Sequence, residues 1–84
     1  MSYELLILKK AQKELSVIPQ KEYDRIKMSI FDLAQNPRPI NCLKLSGREG
    51  WRIRIGNYRV IYEIDDKKKI VNILQIGHRK YIYK

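Results

Sequence analysis

Residues 51–64 read Trp-Arg-Ile-Arg-Ile-Gly-Asn-Tyr-Arg-Val-Ile-Tyr-Glu-Ile, and they predict more of the structure than any other part of the chain. Apolar and charged residues alternate along this stretch, which is typical of strands that bury one face. Gly56 and Asn57 form a two-residue turn signal between two such runs. The stretch therefore predicts a β-hairpin.

A two-residue turn also predicts how the hairpin is paired, with Arg54 opposite Arg59 and Ile53 opposite Val60. Directly opposed residues point to the same face of a sheet. One face is therefore apolar and consists of Trp51, Ile53, Ile55, Tyr58, Val60 and Tyr62. The other, called the arginine face below, gathers Arg52, Arg54 and Arg59. Like charges in opposition destabilise a sheet, so fold stability gives no reason for this pairing, whereas phosphate binding does.

The composition also favours a polyanionic partner. The chain has 84 residues, with 18 Lys and Arg against nine Asp and Glu, and a formal charge of +9. We expect one domain, residues 1–84, with a small core. A basic balance of this size is typical of proteins that bind RNA, DNA or an acidic protein segment.

Other classes of protein are disfavoured by what the sequence contains. Cys42 and His78 are the single Cys and the single His, so we expect no internal disulfide, no metal site and no cofactor. No apolar run approaches the roughly 18 residues of a membrane span. Lys9 and Lys10 interrupt the short run 5–8, so the N-terminus does not resemble a signal peptide. A cytoplasmic protein without a membrane partner is expected.

Periodicity divides the remaining chain into helices and further strands. A strand is predicted over 3–8, helices over 9–18 and 20–35, and strands over 43–45 and 70–76. Pro19 ends the first helix, and Pro37 and Pro39 follow the second. The predicted order is β-α-α-β-β-β. This is an α+β fold with an antiparallel sheet, a helical hairpin packed on the apolar face, and the arginine face open to solvent.

Three short motifs resemble, in order and spacing, the RelE/ParE toxin superfamily, and its RelE branch most closely. They are Leu-Lys-Leu-Ser-Gly at 43–47, the hairpin at 51–63, and Ile-Gly-His-Arg-Lys at 76–80 with a following Tyr83. The resemblance covers nearly the whole chain. It implies a type II toxin that cuts mRNA in the ribosomal A site without a metal and is silenced by a cognate antitoxin on its surface. The expected partners are mRNA, the ribosome and the antitoxin, and the free toxin is expected to be monomeric.

The implied reaction is attack of a ribose 2′-OH on the adjacent phosphate, which needs a base, a charge stabiliser and an acid. Arg59 and Arg79 match arginines of the family, while Arg52 and Arg54 stand where some members carry lysines. An arginine binds phosphate oxygens through its planar fork and stays charged. Tyr83 matches a family tyrosine thought to stack on or orient the substrate.

His78 is the leading candidate for proton transfer. An arginine is a poor general base because its pKa exceeds about 12, whereas the unperturbed pKa of histidine lies near neutrality. Other members of the family use a histidine near the C-terminus. The sequence leaves the face of His78 open, since a slip of one residue would reverse it, and an ordinary surface histidine is the alternative. Further candidates for RNA contact are Lys44, Arg48, Lys80 and Tyr81.

Two other functions remain open from the sequence. The first is a ParE-like inhibitor of DNA gyrase without catalytic activity, and the second is an inactive RNA-binding relative. The arginine face together with His78 and Tyr83 favours the nuclease, because the ParE-like branch generally lacks that combination. Tyr81 and Tyr83 could instead cap the edge of the sheet.

Overall fold

Seven elements make up residues 2–78, the part of the chain that the computed structural model describes. In chain order they are β1 (Glu4–Ile7), α1 (Lys9–Ser16), α2 (Gln20–Asp32), β2 (Cys42–Lys44), β3 (Trp51–Ile55), β4 (Tyr58–Asp65) and β5 (Ile70–His78). The predicted α+β class is confirmed. Four strands follow the helices, as the predicted ranges have it, whereas the order written as β-α-α-β-β-β contains only three.

The five strands form one sheet in the order β1-β5-β4-β3-β2. Strands β2 to β5 are antiparallel to their sequence neighbours, whereas β1 is parallel to β5, with Leu5 beside Val71. The sheet is therefore mixed and in this respect differs from the predicted antiparallel sheet. Because the β1–β5 pair joins the two ends of the described chain, no local sequence pattern indicates its direction.

The hairpin forms with the predicted register. Arg54 lies opposite Arg59 and Ile53 opposite Val60 on the two strands. Gly56 occupies the first turn position with a φ of +60°, in the left-handed region that glycine adopts without steric cost. A glycine at this position is typical of the two-residue turns whose twist matches that of the flanking strands.

The core lies between the apolar face of the sheet and the two helices. Ile26 and Ile30 are the buried residues of α2, and Ala11 is the buried residue of α1. They pack against sheet residues that are almost fully buried, namely Ile53, Val60, Tyr62, Val71, Ile73 and Ile76. The prediction that the helical hairpin covers this face is confirmed.

A β-bulge in β5 decides which face its last residues occupy. Ile61 lies opposite Gln75 but its neighbour Tyr62 lies opposite Ile73, so Leu74 is an extra residue on β5. Ile73 and Ile76 lie on either side of the bulge, and both side chains point to the face that α1 and α2 cover. Since side chains alternate with a period of two, one inserted residue reverses the facing of everything that follows.

The backbone beyond the bulge is held by α1. The pairing of β5 with β1 ends at Ile73. Within the described residues, the part of β5 after Ile73 therefore has no neighbouring strand on that side. There the Glu14 carboxylate accepts a hydrogen bond from the Ile76 N–H at 2.8 Å. This bond satisfies a half-buried backbone donor that the sheet itself leaves open.

Candidate functional site

The hairpin brings Arg52, Arg54 and Arg59 onto one face of the sheet. Arg54 and Arg59 are directly opposed, and Arg52 lies two residues along the same strand from Arg54. On the other side of Arg59, β5 contributes Gly77. The predicted placement of these three arginines on one face is therefore confirmed by the register.

The expectation that this face is open to solvent is wrong at Arg59. Arg54 is exposed and Arg52 is half-buried, but Arg59 is only 4% exposed, and Ile61 on the same face is 3% exposed. The Arg59 side chain donates a hydrogen bond from Nη1 to the Tyr58 carbonyl at 3.3 Å. The alternation of the sequence indicates which way a side chain points, but not how much of the protein surrounds it.

Burial changes what Arg59 can do for a bound anion. In a less polar environment the attraction between a cation and a phosphate is screened less than in water. A guanidinium held in place before the anion arrives also needs little reorganisation. The arginine face therefore combines one oriented, poorly hydrated cation at Arg59 with an exposed one at Arg54.

His78 lies on the opposite face of the sheet from the arginines. Its partner across the strands is Tyr58, and the two rings meet edge to face with centroids 5.5 Å apart and planes at 75°. The two rings also line a cavity of about 270 Å³ with Glu22 and Arg25 of α2. The structure thus separates the leading candidate for proton transfer from the arginine face, and the bulge at Leu74 is the physical reason.

The remaining predicted contacts are scattered. Lys44 pairs across the strands with Trp51, so it belongs to the face opposite the arginines. Arg48 is exposed in the loop that precedes β3. Arg79, Lys80, Tyr81 and Tyr83 lie outside the described residues.

A polar cluster that the sequence did not reveal lies at the other end of the hairpin. Arg38 forms an ion pair with Asp66, with Nη2 and Oδ2 2.9 Å apart, and the Tyr3 hydroxyl donates to Asp66 Oδ1 at 2.6 Å. The Arg38 guanidinium also lies 5.2 Å from the centre of the Trp51 ring. These residues come from the segment before β1 and from three separate later segments, so no motif or spacing could have indicated the cluster.

The charge of Asp66 is stabilised by this arrangement. Hydrogen bonds from Arg38 and then from Tyr3 hold the pKa of the Asp66 carboxyl at about 2, below its usual value. The same contact with Asp66 raises the pKa of the Tyr3 hydroxyl. The cluster therefore ties the residue before β1, the loop after α2 and the β4–β5 turn together at neutral pH.

Two negative findings apply to residues 2–78. No group of three or more His, Cys, Asp or Glu side chains converges there as a metal site would. No helix in this part of the chain has the length and apolar character needed to cross a membrane.

Comparisons with a family model and with individual known proteins point to the same family. Residues 5–83 match the family model of the ParE toxin of the type II toxin–antitoxin system parDE. Toxin RelE3 of Methanocaldococcus jannaschii is 34% identical over 86 residues, covering 95% of this chain and 94% of that protein. The mRNA interferase toxin RelE of Escherichia coli is 26% identical, covering 95% of this chain and 86% of that protein.

Solved structures agree with the sequence matches. The RelE–RelB complex of the archaeon Pyrococcus horikoshii contains a chain that superposes with a TM-score of 0.83 at 32% identity, covering 96% of this chain and 99% of that one. The RelBE2 toxin–antitoxin complex of Mycobacterium tuberculosis gives the same TM-score at 27% identity, covering 94% and 100%. Because the matches extend over nearly the whole chain, this protein belongs to the RelE/ParE toxin superfamily and is a RelE-like toxin.

Proposed function

We propose that this toxin inhibits translation by cutting mRNA on the ribosome. The observation that carries the proposal is the arginine face, where Arg54 and Arg59 are directly opposed and Arg59 is almost fully buried. The name of the Escherichia coli relative, an mRNA interferase, supports the same activity. The substrate would be the mRNA exposed in the ribosomal A site.

The proposed reaction is metal-independent attack of a ribose 2′-OH on the neighbouring phosphate, with loss of the 5′-oxygen. Negative charge builds up on the phosphate oxygens in the transition state, and oriented cations stabilise that state more than the starting one. Arg59 and Arg54 bind these oxygens, and Arg52 holds the adjoining backbone. The family resemblance adds Arg79 and Tyr83 as further contacts.

Charge stabilisation is the main contribution of the described residues. An arginine cannot serve as a base near neutral pH. His78 points away from any phosphate that Arg54 and Arg59 hold, so we do not assign it the proton. Removing one oriented charge stabiliser typically lowers a rate on the order of 10²- to 10³-fold.

We also propose that a cognate antitoxin covers this toxin in the resting state. The similar chains of Pyrococcus horikoshii and Mycobacterium tuberculosis were solved as complexes with their antitoxins. Several large apolar side chains of the described residues are more than half exposed, and a protein partner would shield them from water. They are Val17, Met28, Phe31, Ile40 and Leu43.

The experiment is a translation extract programmed with a defined mRNA. We expect mRNA fragments that appear only when ribosomes are present, and we expect Arg59→Ala to reduce the cleavage rate about 10²-fold or more. Lys21→Ala, which removes an exposed cation from α2, is the matched control and should cleave normally. Intact mRNA with the wild-type toxin would overturn the proposal.

The second candidate is a ParE-like gyrase inhibitor, which the match to a ParE toxin model favours. A gyrase cleavage assay separates the two candidates. Stabilised gyrase–DNA breaks, without any ribosome-dependent cutting of mRNA, would establish this second function. Cutting of mRNA with normal gyrase turnover would exclude it.

A further inference from the structure

The second half of β5 runs beside the buried arginine of the arginine face. Gly77 lies directly opposite Arg59 across the β4–β5 pair, and Ile76 lies opposite Val60. Because Gly77 has no side chain, β5 contributes only backbone to the surroundings of Arg59 at this position. The environment of Arg59 therefore depends on where this backbone lies.

This part of the β5 backbone is paired on one side only. On the side away from β4, the Leu8 N–H donates to the Ile73 carbonyl at 3.1 Å, and the β1–β5 pairing ends at Ile73. Past Ile73, no strand of residues 2–78 pairs with β5 on this side. Strand edges without a partner open more readily than paired strands, and their amides exchange with water faster. The part of β5 beside Arg59 thus needs another support.

Glu14 of α1 supplies this support. Its Oε1 atom accepts a hydrogen bond from the Ile76 N–H at 2.8 Å, across 62 positions of sequence. Glu14 comes three residues after Ala11 and four before Ile18, which are both buried, so it lies on the side of α1 that faces the core. A carboxylate on such a side costs free energy unless it is hydrogen-bonded. The bond to β5, and not packing, therefore explains a glutamate at this position.

The bond is strong, and the helix that provides it is anchored. Hydrogen bonds to a carboxylate are shorter and roughly twice as strong as those between neutral groups. Ala11 is fully buried, Leu15 packs against the core, and α1 as a whole packs on β5. Glu14 therefore fixes Ile76 relative to the core of the protein.

We propose that Glu14 is a positioning residue of the cleavage site. By holding the Ile76 N–H, it fixes the backbone opposite Arg59, although α1 covers the other face of the sheet and Glu14 does not touch RNA. This role rests on the proposed nuclease function. A displacement of about 1 Å that originates far from the reacting atoms can cost on the order of 10²-fold in rate, so one distant hydrogen bond can affect catalysis.

Two substitutions separate the hydrogen bond from the rest of the side chain. Glu14→Ala removes the acceptor, whereas Glu14→Gln keeps an acceptor oxygen on a side chain of the same length. Asp32→Ala, which removes an exposed carboxylate from α2, is the control and should match the wild type in both readouts. Each variant is measured below its own midpoint of thermal unfolding.

The first readout is hydrogen exchange of single amides in the toxin alone. We expect the Ile76 N–H to exchange about ten-fold faster or more in Glu14→Ala, and within about three-fold of wild type in Glu14→Gln. The Val71 N–H is the internal reference, because Val71 is buried and paired with both β1 and β4. The ratio of the two exchange rates removes any change in global stability.

The second readout is single-turnover cleavage of mRNA at saturating ribosome concentration. We expect Glu14→Ala to lower the rate about ten-fold or more, while the half-saturating ribosome concentration stays within about three-fold of wild type, because positioning acts on the transition state. Glu14→Gln should restore the rate to within about three-fold of wild type. A purely stabilising role would lower the midpoint of unfolding and leave the rate of the folded toxin unchanged.

Three results would overturn the inference: an unchanged exchange ratio in Glu14→Ala, a wild-type cleavage rate in Glu14→Ala, or an equal loss of rate in Glu14→Gln and Glu14→Ala. If Glu14→Ala does not fold, Glu14→Asp takes its place, since its carboxylate is one methylene too short for the Ile76 N–H. A wild-type toxin that leaves mRNA intact would remove the proposed function, and the exchange ratio would still show whether Glu14 holds β5. A wild type and a Glu14→Ala variant that cut mRNA equally well would remove this inference alone.

Discussion

At the scale of single residues, Arg54 and Arg59 have the same chemistry but different environments. Arg59 is shielded from water, so the attraction between its guanidinium and a phosphate is screened little. Arg54, directly across the hairpin, remains exposed to solvent and to salt. In the proposed reaction, Arg59 therefore suits stabilisation of the transition state, and Arg54 suits capture of the RNA.

Arg54→Ala tests this division of roles. Each phosphate contact with single-stranded RNA contributes a slope of about −0.7 to the plot of log affinity against log salt. We expect Arg54→Ala to make this slope less steep by about 0.7, measured by RNA binding between about 50 and 200 mM salt. Lys21→Ala on α2 is the control. An identical slope in wild type and Arg54→Ala would show that Arg54 makes no phosphate contact.

His78→Phe tests whether the histidine moves a proton or packs against Tyr58. Phenylalanine keeps a ring at the contact but cannot titrate, so we expect cleavage within about three-fold of wild type and an unchanged pH profile between about pH 5 and 8. His78→Ala, which removes the ring as well, should be the more impaired variant. A loss on the order of 10²- to 10⁴-fold in His78→Phe would instead make His78 an acid or base.

At the scale of elements, the β4–β5 turn contains a strained position. Lys69 has a φ of +58°, a left-handed conformation that costs a residue with a side chain roughly 1–2 kcal/mol. Glycine avoids most of this cost but loses more entropy on folding and gives up the contact of Lys69 with the Tyr3 ring. We expect Lys69→Gly to stabilise the fold by about 0.5 kcal/mol, which thermal unfolding detects as a rise of a few degrees.

Lys67→Gly is the matched control in the same turn. Its backbone φ is not positive, so glycine there adds flexibility to the unfolded chain without relieving strain. It should lower the midpoint of thermal unfolding. A lower midpoint for Lys69→Gly as well would show that the contact with Tyr3 outweighs the strain.

The elements also show how far sequence reasoning extends. The register of the β3–β4 hairpin follows from alternation and a two-residue turn, both local, and it was predicted residue by residue. The bulge at Leu74 has no comparable signal. The run from Ile70 to Ile76 has apolar residues at both odd and even positions, so its sequence does not indicate which side chains face the core. The candidate site divides in the same way: the arginine cluster was predictable, whereas the burial of Arg59 and the facing of His78 depend on packing between distant segments.

At the scale of the whole molecule, the ion pair between Arg38 and Asp66 joins segments that are far apart in sequence. The pKa of Asp66 is about 2 in the folded protein, below its value of 3.8 without such contacts. A lowered pKa means that the contribution to stability is complete above about pH 4 and is lost as the pH falls towards 2. The stability of the wild type should therefore decrease across this interval.

Asp66→Asn removes that dependence. We expect the variant to be less stable than wild type at pH 6 and to lose less stability between pH 5 and pH 2, measured by denaturant unfolding at each pH. Asp32→Asn, a change of the same kind at an exposed position of α2, is the control. Parallel pH curves for wild type and Asp66→Asn would show that the ion pair does not couple to folding.

The parallel pairing of β1 with β5 has a consequence for how a cell makes this protein. β5 is the last described strand to be synthesised, yet it lies between β1 and β4 in the sheet. Contacts between such distant parts of a chain form late, because the intervening chain must first be ordered. While β5 is still inside the ribosome, β1 has no partner among the described strands, and Arg59 lacks the strand that carries Gly77. The nascent chain therefore has no finished arginine face until β5 has left the ribosome, and the proposed activity cannot begin before that point.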